Sequence, residues 1–158
     1  MNLSNSPPNN SSCGFMTSTE SARLTRVNQV LVVDDSPVER KILSRILSLN
    51  GLGYIEACDG VEALETIEMN IPELVILDVE MPRMNGYEVC RRLKNNSITQ
   101  MIPILMCTSK AVSLDPYWGS REGANAYVSK PYQTKDLIRK VKLLLPITDR
   151  GIADLPHE

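Results

Sequence analysis

The feature that most constrains this chain is a set of short segments that are apolar at every position. They are Val30-Leu31-Val32-Val33, Leu74-Val75-Ile76-Leu77 and Ile104-Leu105-Met106, with a weaker Tyr54-Ile55 and a short Tyr127-Val128. A strand with one face in water alternates apolar and polar residues, whereas a strand covered on both faces does not. The runs therefore predict a parallel sheet with helices on both sides.

Helical segments separate the runs, and their start signals are legible. Ser36-Pro37-Val38-Glu39 reads as a capping box with proline at the first helical position. Val38, Ile42, Leu43, Ile46 and Leu47 form the expected inward stripe of that helix. Asp59-Gly60-Val61-Glu62 opens a second helix with Val61, Leu64 and Ile67 inward, and Asn85-Gly86-Tyr87-Glu88 opens a third with Val89, Cys90 and Leu93 inward. Asp115-Pro116 should open a short fourth, ending near Gly123. Thr134 is expected to cap a fifth, with Leu137, Ile138, Val141 and Leu144 as its stripe. Five strands alternating with five helices predict an α/β fold with a doubly wound five-stranded parallel sheet.

Residues 1–27 contain Ser4-Asn5-Ser6-Pro7-Pro8-Asn9-Asn10-Ser11-Ser12 and nothing periodic, so a disordered N-terminal arm is expected there. The organised domain is expected over 28–146, with a short C-terminal tail at 147–158. The formal net charge of -2 argues against electrostatic binding to nucleic acid or an anionic membrane, which want clustered Lys and Arg. No apolar stretch approaches the ~20 residues of a membrane span, and the N-terminus lacks the apolar segment of a secretory signal. Cys13, Cys58, Cys90 and Cys107 form no C-x-x-C pair, and His157 is the single histidine. A zinc site is therefore not expected. The thiols read as small buried hydrophobes in a reducing cytoplasm.

In a doubly wound sheet, ligands bind at the carboxyl ends of the strands, where strand order reverses. The first run ends in Asp34-Asp35 and the third in Asp78, followed by Val79-Glu80. The fourth ends in Thr108-Ser109 and the fifth in Lys130-Pro131. Three carboxylates on one rim repel one another unless a cation joins them. Mg²⁺ answers that need, taking one or two carboxylates together with water and phosphate oxygens. A carboxylate beside the metal can attack phosphorus, while a lysine and a hydroxyl stabilise the transferring oxygens. Any one of these residues alone would be an ordinary cap or turn. All of them at strand ends, in this order, point to phosphoryl chemistry.

These segments resemble the receiver domains of two-component response regulators, of the CheY-like type. The likeness rests on Val30 to Ser36, on Leu77-Asp78-Val79-Glu80-Met81-Pro82-Arg83-Met84-Asn85-Gly86, on Pro103 to Ser109 and on Gly123 to Pro131. It implies a flavodoxin-like (βα)5 fold with strand order 2-1-3-4-5. It implies Asp78 as phosphoacceptor, and Asp34, Asp35 and Asp78 as the acids around Mg²⁺, with Asp35 the direct ligand. Glu80 would offer its backbone carbonyl to the metal, and its side chain would only modulate dephosphorylation. Thr108 and Lys130 would sense the phosphoryl group, and the ring of Tyr127 would turn inward as the switch. The Lys130-Pro131 bond would be cis.

The resemblance further implies a sensor histidine kinase as phosphoryl donor and a protein target. The target would bind the surface of the fourth helix, fifth strand and fifth helix, where Tyr117, Trp118, Arg121, Tyr127 and Tyr132 lie. The stretch Trp118-Gly119-Ser120-Arg121-Glu122-Gly123-Ala124 looks like CheY-like regulators of type IV pilus motility and phototaxis, which implies a CheA-like kinase. About a dozen residues follow the last helix, too few for an effector module, so the expected output is protein binding. Two other readings remain open: a phosphate sink for a shared kinase, and a Mg²⁺-dependent phosphohydrolase. The second wants an Asp two residues beyond the nucleophile, where this chain has Glu80. The expectation is a signalling protein that catalyses only its own phosphorylation and dephosphorylation.

Overall fold

The computed structural model describes residues 29–109 and 123–145. Its strands are β1 (Gln29–Val33), β2 (Gly53–Ala57), β3 (Leu74–Asp78), β4 (Ile104–Thr108) and β5 (Ala126–Ser129). Its described helices are α1 (Pro37–Leu49), α2 (Gly60–Met69), α3 (Gly86–Lys94) and α4 (Thr134–Leu144). The strands form one sheet in the order β2-β1-β3-β4-β5, and every neighbouring pair is parallel. The helix expected from Asp115 lies outside the described residues, so α4 is the segment read from sequence as the fifth.

Every residue of β3 and β4 is buried, as are the last four of β1. Successive side chains of a strand point to opposite faces, so the unbroken apolar runs feed two cores. Leu31, Val33, Val75, Leu77, Ile104 and Met106 pack with α2 and α3, whereas Val30, Val32, Leu74, Ile76, Leu105 and Cys107 pack with α1 and α4. The edge strand β2 alternates, burying only Ala57 fully. That explains why Tyr54-Ile55 was the weak signal, and Tyr54 is indeed exposed.

The helix starts follow the sequence signals with local adjustments. The side chains of Ser36, Asp59 and Asn85 accept from the amides of Glu39, Glu62 and Glu88, each satisfying one otherwise unpaired donor. The boxes close differently from expectation. The Ser36 amide donates to Asp34 Oδ1 at 2.9 Å, and Glu62 Oε2 accepts from the Cys58 amide, one residue before the cap. Thr134 is the first helical residue of α4 and not its cap. Gln133 holds the cap position without a side-chain bond.

Two inward stripes need correction. Val38, Ile42 and Val61 are exposed, while Ser44, Gly60 and Ala63 are buried. Small residues take inward positions, with Gly60 packed against Met84 and Val89, and the outer positions of a wide apolar stripe face water. Ser44 is buried with its hydroxyl bonded to Glu56 Oε1 of β2. The inward faces of α3 and α4 stand as expected for Val89, Cys90, Leu93, Leu137, Ile138 and Val141. Among the described cysteines, Cys90 and Cys107 are buried but Cys58 is exposed.

Candidate functional site: an acidic rim at the strand reversal

β1 lies between β2 and β3, so the strand order reverses at its carboxyl end. There the chain places Asp34 and Asp35 just after β1, and Asp78 as the last residue of β3. One carboxylate oxygen from each of the three lies within 4.8 Å of the others. Asp34 and Asp78 are buried and Asp35 is exposed.

Lys130, just after β5, reaches into this cluster. Its Nζ donates to Asp34 Oδ2 at 2.7 Å and lies 3.4 Å from Asp78 Oδ1. Asp34 Oδ1 meanwhile accepts the Ser36 amide, so both oxygens of Asp34 are held by the protein. Arg40 Nη1 of α1 donates to the Asp34 carbonyl at 2.7 Å. Both contacts of Asp78, from Lys130 and from the Glu80 amide at 3.3 Å, fall on Oδ1.

The charges leave a clear mark. Burial, and then the neighbouring Asp34 carboxylate, push the Asp78 carboxyl up to about 6 from an ordinary 3.8 despite Lys130. Burial pulls the Lys130 ammonium down, but the Asp34 bond and the Asp78 charge outweigh it and raise its pKa. One ammonium thus does not neutralise the rim. The Cys107 thiol, pushed up to about 12 by burial, stays protonated and is no nucleophile.

The remaining expected residues sit on the β4–β5 side. Thr108 ends β4 one residue beyond Cys107, the register partner of Asp78, and is buried. The Lys130 amide donates to the Thr108 carbonyl at 2.9 Å, which joins the two strand ends. The Lys130–Pro131 bond is cis. Tyr127 pairs in register with Met106, is half-buried, and packs against the core on the α2–α3 side with its hydroxyl buried. Tyr132 packs into the opposite core, beside α1 and α4. The two rings thus belong to different layers flanking β5 and do not share one face of the sheet. Tyr117, Trp118 and Arg121 lie outside the described residues.

Some contacts had no signal in the sequence. Glu80 is exposed, and its Oε2 accepts from Ser109 Oγ at 3.1 Å, bridging the loops after β3 and β4. Only the folded sheet brings positions so far apart in sequence together. Gly86 at the start of α3 packs directly on the Asp78 peptide. A Cβ there would lie 2.3 Å from the Asp78 carbonyl oxygen, so only glycine fits. Its amide donates to the Val79 carbonyl at 3.0 Å, closing the 79–86 loop against the site.

The three carboxylates suit a divalent ion. Their spacing approaches the ~4 Å span of two oxygens across a Mg²⁺ ion with bonds of about 2.1 Å. All three are hard oxygen donors, and the rim carries more negative charge than Lys130 balances.

Comparison with known proteins agrees with this geometry. The family model for the response regulator receiver domain matches residues 30–142. Response regulator MprA of a Mycobacterium species is 41% identical over 117 residues, covering 74% of this chain and 50% of that protein. The chain thus spans about half the length of the curated relatives of that kind. Protein PilH of Pseudomonas aeruginosa is 32% identical over 117 residues, covering 74% of this chain and 97% of that protein. The structure of response regulator TrrA from Thermotoga maritima, in complex with Mg²⁺-BeF, superposes with a TM-score of 0.68 at 32% identity. That match covers 75% of this chain and 99% of TrrA. The class defined by fold and rim is the CheY-like receiver. This chain belongs to the response regulator receiver domain family. Among the described residues, no helix is long and apolar enough to cross a membrane.

Proposed function

We propose that this protein is a response regulator that accepts a phosphoryl group on Asp78 from a sensor histidine kinase and signals by phosphorylation-dependent protein binding. The observation that carries the reading is the cluster of Asp34, Asp35 and Asp78 within 4.8 Å, with Lys130 between Asp34 and Asp78. An Asp78 oxygen attacks phosphorus, the bond from phosphorus to the donor nitrogen breaks, and the imidazole leaves with the electron pair. Asp34, Asp35, Asp78 and the Glu80 backbone carbonyl would hold Mg²⁺, which offsets negative charge on the phosphoryl oxygens when bound.

Asp35 is the strongest direct ligand, because both Asp34 oxygens already have protein partners. Lys130 moves from its carboxylate partners to a phosphoryl oxygen, and the Thr108 hydroxyl takes another. Tyr127 reports that movement to the β5 edge. The Glu80 side chain, tied to Ser109, modulates the return reaction with water. The domain spans 28–146, with 1–27 as an arm and 147–158 as a tail, and it works in the cytoplasm.

The target docks on the β5 side, around Trp118, Tyr127 and Tyr132. The likeness to PilH supports the pilus-motility subgroup, while a CheA-like kinase and a phototaxis pathway rest on the Trp118-Gly119-Ser120-Arg121-Glu122-Gly123-Ala124 stretch alone. Catalysis by the protein is confined to its own phosphorylation and dephosphorylation.

The test is labelling by acetyl phosphate with Mg²⁺, followed by partner capture with and without beryllofluoride. Wild type should label with an acid-stable, base-labile bond, and Asp78→Ala should not label at all. Acid-stable labelling of Asp78→Ala would refute the assignment. A half-life of seconds with no beryllofluoride-dependent partner would favour the phosphate sink. Multiple turnover of external phosphate esters would favour a hydrolase.

A further inference from the structure

Arg83 is the one non-glycine residue with positive φ among the described residues, at 65°. Arginine gains nothing there, since a Cβ disfavours the left-handed region. Around it, the Met84 amide donates to the Pro82 carbonyl at 2.7 Å. An i to i+2 bond around a residue of positive φ is the strained form of the γ-turn. Strain of this kind persists only where surrounding contacts over-determine it.

The contacts that do so are specific. The Arg83 guanidinium pairs with Asp59 Oδ2 at 2.5 Å, while the other oxygen of that carboxylate, Oδ1, caps α2 by accepting the Glu62 amide at 2.8 Å. One half-buried side chain thus fixes a helix start with one oxygen and the turn with the other. Just past the turn, Met84 is buried against Gly60, where a Cβ would lie 3.1 Å from Met84 Cβ and Cγ. Asn85 then caps α3, and the Gly86 amide closes the loop on Val79. The whole closed loop follows directly on Asp78 and contains Glu80.

We propose that Asp59 and Arg83 are positioning residues that hold the strained 79–86 loop onto α2, and so set the Glu80 carbonyl for the divalent ion. This rests on the Mg²⁺ reading above and extends the site to a residue at the start of α2. Neither side chain touches the ion. They act through the path of the backbone between Met81 and Gly86.

The test uses the full chain, titrated with Mg²⁺ and followed by backbone amide shifts, plus metal-free hydrogen exchange at the Met84 and Gly86 amides. Asp59→Asn keeps a side-chain oxygen for the cap but removes the ion pair. Arg83→Ala removes the pair and keeps the strain, and Arg83→Gly removes both. For Asp59→Asn and Arg83→Ala, Mg²⁺ should bind about three- to fivefold more weakly, as suits an exposed ion pair. Both amides should exchange faster. Arg83→Gly should bind within about twofold of wild type, because glycine takes positive φ without a clamp. Adding Asp59→Asn to Arg83→Gly should change nothing further.

Wild-type Mg²⁺ affinity and wild-type exchange in both Asp59→Asn and Arg83→Ala would overturn the proposal. So would a loss from Asp59→Asn that persists undiminished beside Arg83→Gly, since Asp59 would then act through the cap alone. Asp35→Ala in the same titration separates the two readings. If it too binds Mg²⁺ like wild type, the metal site itself falls. If it alone is weakened, only the clamp does.

Discussion

The two halves of the rim are built on unlike ground. The acid half hangs from β1 and β3, which have hydrogen-bonded strands on both sides and helices over both faces. The half carrying Thr108, Tyr127 and Lys130 stands on β4 and on β5, an edge strand with one neighbour and a single fully buried residue. The nucleophile proposed for Asp78 must be held still to be effective, and central strands hold it. The sensing role proposed for Tyr127 and Lys130 needs somewhere to move, and the edge of a sheet offers that, whereas Thr108 stands on the interior strand β4. Side-chain links across the halves run from Lys130 to Asp34 and Asp78, and from Ser109 to Glu80.

Separate damage to each half should give separable defects. The largest is expected on the acid side. Asp35→Ala should weaken Mg²⁺ binding on the order of a hundredfold, by analogy with losses from supporting residues alone, and should abolish acetyl phosphate labelling at millimolar Mg²⁺. Calorimetric titration and phosphoprotein gels measure these directly. Labelling at the wild-type rate would break the division of labour.

The next effect tests whether the acid half stores electrostatic strain. The Asp78 carboxyl sits at about 6 in the folded protein against an ordinary 3.8. Below 3.8 the group is neutral in both folded and unfolded chains and costs nothing. Between 3.8 and 6 the unfolded chain loses its proton first, so stability falls as pH rises, and above 6 the cost is constant. Asparagine has no proton to lose. Asp78→Asn should therefore be more stable than wild type by about 2–3 kcal/mol at pH 8 without metal. The advantage should fade as pH drops from 6 toward 4, and Mg²⁺ should stabilise wild type preferentially. Urea melts at pH 4, 6 and 8 would show it, and a pH-independent difference would contradict the charge argument.

The smallest effect belongs to the sensing half. Lys130→Ala should still accept phosphate, while the gain in partner affinity on phosphorylation, about 1–3 kcal/mol for coupled sites of this kind, falls toward zero. Binding measured by interferometry with and without beryllofluoride reads that gain. Unchanged coupling would remove Lys130 from the sensing role.

The same contrast governs what could be read from sequence. β1, β3 and β4 were legible because central strands are apolar at every position, and the acids after β1 and in β3, with Thr108 of β4, were legible with them. β2 was faint because an edge strand alternates and is half wet. The α1 and α2 faces were misjudged at Val38, Ile42 and Val61, because Ser44, Gly60 and Ala63 are among the buried positions there, and their small size carries little apolar signal. Lys130 announced itself by its place after a run, but the Glu80–Ser109 bridge and the Arg40 bond to Asp34 did not. The first joins loops from different strands and the second ties α1 back to the end of β1, and the sequence pattern announces neither. Arg83 could have been suspected only from its place in a Pro-Arg-Met-Asn-Gly turn, where the sequence does not say which residue takes positive φ.

Because Gly86 leaves no side chain between α3 and the peptide of Asp78, the first turn of that helix bears directly on the backbone of the proposed phosphoacceptor. Packed protein is stiff, so a shift of even a few tenths of an ångström at Asp78 finds no cushion and is handed to the helix as displacement. Strand end and helix start form a single mechanical joint. Whatever grips α3 from outside therefore has a hand on Asp78.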